Sequence, residues 1–83
     1  MTPKPIPKRL AEKLRMIREH KGWTLDQIAE TVGKTGASRR TRVYEWEKGD
    51  RQPDLPALLA YARLVDVPVE VLIDDEQDLQ LGE

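Results

Sequence analysis

Three arginines fall within four positions at Arg39, Arg40 and Arg42, with Thr41 between them and Tyr44 and Glu45 close behind. A guanidinium can give two parallel hydrogen bonds to guanine N7 and O6, a carboxylate can accept from cytosine N4, and a threonine methyl can pack on a thymine methyl. This run of side chains therefore has the chemistry to read base edges, with Arg40 and then Arg39 as the foremost candidates. Lys34, Arg42, Lys48 and Arg51 suit phosphate oxygens, which fix register without carrying sequence information. Catalytic chemistry has no comparable basis. The chain has no Cys and a single His, His20, and shows no nucleophile with a base and no paired carboxylates at useful spacing. Gly33-Lys34-Thr35 has the lettering of a phosphate loop but neither the preceding strand nor the upstream glycine. The chain is expected to be no enzyme and to hold no metal or cofactor, with no small-molecule substrate evident.

The charge distribution agrees with a polyanion partner. The formal net charge is only -1, yet residues 1–51 carry 13 Lys+Arg against 7 Asp+Glu and residues 52–83 carry 1 against 8. No apolar run approaches the roughly 18 residues of a membrane span, and the lack of Cys fits a reduced interior. A cytoplasmic protein is expected, with no membrane partner.

Positioning such side chains needs a scaffold, and 83 residues allow one small core. With 39% apolar residues and no Phe, that core must be mainly Leu, Ile, Val and Ala, which favours helices. Leu10, Leu14 and Ile17 recur at i, i+4 and i+7 and predict a first helix to about Lys21, closed by Gly22. Thr24 and Gln27 have capping-box spacing ahead of a second helix, about Leu25 to Thr31, with Ile28, Ala29 and Val32 inward. Gly33 to Ser38 reads as a loop, and Ser38 is placed to cap a third helix, Arg39 to about Lys48, with Val43 and Trp46 on its inner face and Gly49 at its end. Asp54 caps a fourth, Leu55 to Val65, whose stripe is expected to be Leu55, Leu58, Leu59, Ala62 and Val65. From Pro68 a short fifth helix is expected, although its β-branched residues suit a strand equally. The domain is thus 8–73, between a flexible Pro-rich arm, 1–7, and a flexible acidic tail, 74–83. That tail either solubilises the chain or folds back on the third helix to weaken non-specific binding, while Lys4, Lys8 and Arg9 would let the arm track a groove.

Leu10-x3-Leu14-x2-Ile17-Arg18, Thr24-Leu25-Asp26-Gln27-Ile28-Ala29-Glu30, and Val43-Tyr44-Glu45-Trp46-Glu47-Lys48-Gly49 with Gln52-Pro53 stand in order along the chain. Together they resemble the Cro/C1-type (XRE) helix-turn-helix family of bacterial and phage regulators, over about Leu10 to Ile73. The resemblance implies an all-α, compact five-helix bundle of the lambda-repressor-like type. It also implies sequence-specific binding of double-stranded DNA as a transcriptional regulator associated with the nucleoid, with helix three in the major groove, as a homodimer on a palindromic operator. By position it places Arg40, Thr41 and Glu45 at base edges and Arg39, Arg42, Tyr44, Lys48 and Arg51 at bases or phosphates; the expected base contacts are thus Arg39, Arg40, Thr41, Tyr44 and Glu45, and the expected phosphate contacts Thr24, Arg42, Lys48 and Arg51, with Lys34 and Thr35 added by the loop. Val69, Leu72 and Ile73 are the expected dimer interface, the alternative being that they close the monomer core. The chain departs from the family at Leu25, where a phosphate-contacting Gln is usual, and in a turn about four residues longer within Gly33 to Gly36. An alternative keeps the fold but makes the chain a protein-interaction module or antitoxin-like partner.

Overall fold

The computed structural model describes residues 6–82, which form five helices and, among the described residues, no strand. They are α1 (Leu10–Lys21), α2 (Leu25–Thr31), α3 (Arg39–Lys48), α4 (Leu55–Leu64) and α5 (Val69–Ile73). The all-α expectation holds, and the ambiguous fifth segment is helical. Leu10, Leu14 and Ile17 of α1 meet Ile28, Ala29 and Val32 from α2 and Val43 and Trp46 of α3 in one buried cluster. α3 packs on both α1 and α2, whereas α5 packs on α1 and α4.

Local chemistry sets the helix ends. The Thr24 hydroxyl accepts from the Gln27 amide at 3.1 Å while Gln27 Oε1 accepts from the Thr24 amide at 2.8 Å, so the capping box is complete. Asp54 Oδ1 accepts the Ala57 amide at 3.0 Å, and Pro56 stands in the first turn, where no amide donor is required. Ser38 departs from expectation: its side chain makes no capping hydrogen bond. The Gly36 carbonyl instead accepts from the Arg39 amide at 3.3 Å and from Arg39 Nη1 at 3.0 Å. Gly33 and Gly36 have φ of 88° and 94°, values that admit glycine readily and let the long turn reverse twice before α3.

The inward face of α4 is rotated from the expected stripe. Ala57, Leu58, Tyr61 and Ala62 are buried, while Leu55 is 81% and Leu59 42% exposed. Tyr61, fully buried, explains the rotation: its ring stands edge-on to Trp46, centroids 6.3 Å apart. Filling the space beneath the α3 indole takes an aromatic, and an apolar count passes over a residue with a hydroxyl. Burial, with a smaller contribution from Glu47, pushes the Tyr61 hydroxyl well above its ordinary pKa.

The acidic segment is not a free tail. Asp75 receives the Lys8 and Arg9 backbone amides, each at 2.9 Å, and so caps the start of α1 from far along the chain. The Arg9 guanidinium meets Asp78 at 2.8 Å and the Asp75 carbonyl at 3.0 Å. Lys13, only 1% exposed, donates from Nζ to the carbonyls of Val71 (2.7 Å), Asp74 (3.0 Å) and Gln77 (2.8 Å), and Leu79 is buried in the core. The acidic residues thus meet the N-terminal end of α1 rather than α3, and apolar periodicity carries no sign of this because Lys13, Asp75 and the Arg9–Asp78 pair hold the segment, with Leu79 buried beside them. At the other end of the chain, Ile6 packs against the core, and Arg9 is engaged in this clasp instead of extending as an arm. The remainder of the expected arm, Met1 to Pro5, and Lys4 with it, lies outside the described residues.

Candidate nucleic-acid interface

The expected reading residues lie on α3, which buries only Val43 and Trp46. Two neighbours hold the helix. Its C-terminal half is tied to α1 by Arg18, whose Nε and Nη2 donate to the two Glu47 carboxylate oxygens at 2.8 and 3.0 Å, while Nη1 donates to the Trp23 carbonyl at 3.1 Å. With the Glu47 side chain only 6% exposed, this two-point contact fixes orientation as well as proximity. The hydrogen bonds to Glu47 raise the Arg18 pKa further, against the smaller opposing effect of burial. Taken alone, Arg18 and Glu47 are each an ordinary charged residue on an amphipathic helix. Their pairing across elements leaves no local signal.

The N-terminal half of α3 is tied to α2. Arg40 Nη2 donates to Asp26 Oδ2 at 2.6 Å, and Arg39 Nε lies 3.5 Å from Asp26 Oδ1. Arg40 holds the Asp26 carboxyl below the usual carboxylate range, first by that hydrogen bond and then by charge, to which Arg39 adds. The Arg40 side chain remains 66% exposed, whereas that of Arg39 is 32% exposed and folds back on Gly36. Asp26 is the site residue that the sequence reading missed. Its position in the first turn of α2 already accounted for an acid there, so nothing pointed to a partner on α3.

Thr41, Arg42 and Tyr44 are exposed, and Glu45 is half-buried. Arg42 has no carboxylate partner among the described residues. Lys48 Nζ stands 5.2 Å from the Tyr44 ring centroid and 3.7 Å from Asp50. Arg51 Nε lies 3.7 Å from Glu45. Lys34 is drawn inward, paired with Asp54 and 6.0 Å from the Trp46 ring centroid, and its side chain is 17% exposed. That pairing, together with the Ala57 amide, holds the Asp54 carboxyl below its ordinary range. An open groove lined by Ser38, Thr41, Arg42, Glu45 and Gln52 runs beside the helix. Thr24 and Thr35 are exposed, although the Thr24 hydroxyl already accepts a hydrogen bond.

At the expected dimer contact the structure requires a correction. Leu72 is fully buried within the monomer, because α5 closes the core against α1 and α4. Of the other two, Val69 is partly buried against the core and Ile73 is 42% exposed.

No helix among the described residues is long and apolar enough to cross a membrane, and no cluster of three or more potential metal ligands occurs among them. A short capped helix packed against a second helix that turns its polar side chains outward is the arrangement of helix-turn-helix DNA-binding proteins. The family model described as helix-turn-helix matches residues 14–72. The chain belongs to that family, the Cro/C1-type or XRE helix-turn-helix proteins. Comparison with curated proteins and with solved structures returned no match.

Proposed function

We propose that this protein is a sequence-specific transcriptional regulator that places α3 in the major groove of double-stranded DNA. The observation that carries this reading is the two-sided support of α3. Val43, Trp46 and Glu47 are held below it while Arg40, Thr41, Arg42 and Tyr44 face solvent. Arg40 reads a guanine edge, and Thr41, Tyr44 and Glu45 contact neighbouring bases, with Arg39 closer to the turn. Thr24, Thr35, Arg42, Lys48 and Arg51 meet phosphates, and Lys34 joins them on release from Asp54. One such helix spans few base pairs, so a homodimer on a palindromic operator, with half-sites about one turn apart, supplies the remaining specificity. Ile73 and Val69 are the parts of the expected interface that the burial of Leu72 leaves available. The role places the protein in the cytoplasm with the nucleoid.

Selection from a random duplex pool at near-physiological salt, comparing the parent with Arg40→Ala, tests the reading. A two-fold motif that loses preference at one position per half-site in the variant is expected. No enrichment by either protein overturns it.

One observation favours a second reading, a protein-interaction module or antitoxin-like partner. Arg40, Lys34, Lys48 and Arg51 already face carboxylates of their own chain, which reduces the net positive field. Salt separates the two, since neutralising several phosphates makes affinity fall steeply with added salt and an apolar protein contact does not.

A further inference from the structure

We propose that Asp26 is a specificity-determining positioning residue, holding Arg40 in place for a base edge while discouraging phosphate. The inference rests on the DNA-reading role proposed above.

Asp26 stands on a rigid mount. The capping box completes the first turn of α2, and Ile28 and Ala29 just beyond it are wholly buried. From there the carboxylate spans the turn to the start of α3 and engages both arginines, at 2.6 Å for Arg40 and 3.5 Å for Arg39. The long loop that separates this chain from the usual family pattern leads directly into these two residues.

The atoms involved allow base reading to continue while Asp26 is bound. A guanidinium has five N–H donors, and the contact with Asp26 Oδ2 engages only Nη2. A hydrogen remains on Nη2, with Nε and Nη1 beside it, so an edge bearing two donors is still available for guanine. The side chain is already confined before DNA arrives, which lowers the conformational entropy lost on contact.

A base edge and a phosphate respond differently to this arrangement. The base is neutral and binds through directed hydrogen bonds, so a nearby carboxylate costs it little. A phosphate is attracted chiefly by net charge, which Asp26 cancels at Arg40 while repelling the anion itself. Non-specific binding depends on phosphate contacts, so Asp26 raises the ratio of specific to non-specific affinity. The lowered pKa of Asp26 keeps it ionised throughout the neutral range.

The experiment uses the full chain, the duplex enriched by the parent, the same duplex with the Arg40-dependent base pair changed, and an unrelated duplex. Asp26→Asn removes the charge with almost no change of shape. Its expected effects are several-fold tighter binding to the unrelated duplex, a salt slope steeper by about one, and a fall of about five- to tenfold in discrimination at the Arg40-dependent position. Asp26→Glu, which keeps the charge, retains more of the discrimination. In an Arg40→Ala background, where preference at that position is already lost, Asp26→Asn still tightens binding to the unrelated duplex and does not weaken binding to the enriched one, whereas a purely structural role weakens binding to both. Equal tightening on all three duplexes, with discrimination intact, overturns the proposal by reducing Asp26 to a background charge. If the parent enriches no motif, the DNA-reading role itself fails, and that result is distinct from a parent that discriminates through an Arg40 indifferent to Asp26.

Discussion

Replacing Lys13 by Met tests the clasp that joins the C-terminal segment to α1. Methionine fills much the same space as the lysine stem but cannot donate to the carbonyls of Val71, Asp74 and Gln77. A net worth of about 1 kcal/mol for each hydrogen bond gives about 3 kcal/mol for the set. Relief from burying the ammonium, which together with Arg9 lowers the Lys13 pKa against the opposing pull of Asp75, Asp74 and Asp78, returns part of this. The expected loss is about 2–3 kcal/mol. At about 4–8 °C per kcal/mol for a domain of this size, the melting temperature followed by far-ultraviolet circular dichroism should fall by about 8–24 °C. Hydrogen exchange should rise most at the amides of residues 74–79. Lys13→Ala also removes stem methylenes worth about 0.8 kcal/mol each and should be the worse variant. A Met variant that melts within about 2 °C of the parent would refute the view that the ammonium holds the segment in place.

Other consequences can be measured in the same way. Glu47→Ala leaves the Arg18 guanidinium without its partner and should cost about 2–3 kcal/mol in urea unfolding. The figure falls below the ~3–5 kcal/mol of a fully buried pair because Arg18 keeps some contact with water. Thr24→Ala should cost about 1 kcal/mol by removing a capping hydrogen bond, whereas Ser38→Ala should change stability by less than about 0.5 kcal/mol; equal losses would contradict the caps described. Asp54 and Asp75 have carboxyls held below the unfolded range, Asp54 by Lys34 and Ala57 and Asp75 by the Arg9 and Lys8 amides. Their contribution is therefore complete above about pH 4–5 and is lost as pH falls through their lower folded values. Urea midpoints should stay level down to that range and then drop, and Asp75→Asn should make the drop shallower; an identical profile for that variant would exclude Asp75 as a contributor.

What could be read from the sequence was whatever is written at short range. Leu10, Leu14 and Ile17 declare α1 by spacing, Thr24 and Gln27 declare the start of α2, and Gly49 the end of α3. The exposed face of α3 was legible because its residue types and their order around the buried Val43 and Trp46 match the family. The rest depends on partners distant in the chain. Lys13 reads as a polar position on an amphipathic helix, Asp75 as one of several acids in a tail, and Tyr61 as an aromatic that packs in α4 or at a subunit contact, with no sign of its partner Trp46. Each acquires its role only when the fold brings another element against it. Asp26 and Arg18 escaped notice for the same reason, since a charge on a helix is ordinary and its counter-charge lies on another element.

The small buried share of α3 has a consequence for how such a protein changes over generations. Apart from Val43, Trp46 and Glu47, the side chains of this helix contribute little to the core. Surface substitutions of this kind commonly shift stability by less than about 0.5 kcal/mol. Under the proposed reading role, positions 40–42, 44 and 45 can therefore diverge with little loss of fold, while Val43 and Arg39, which bonds the Gly36 carbonyl, are constrained, and recognition can change through a series of folded intermediates. Asp26 lies outside that interchangeable stretch. A lineage that replaces Arg40 leaves the Asp26 carboxylate with only the more distant Arg39, and the next change to be favoured falls on α2.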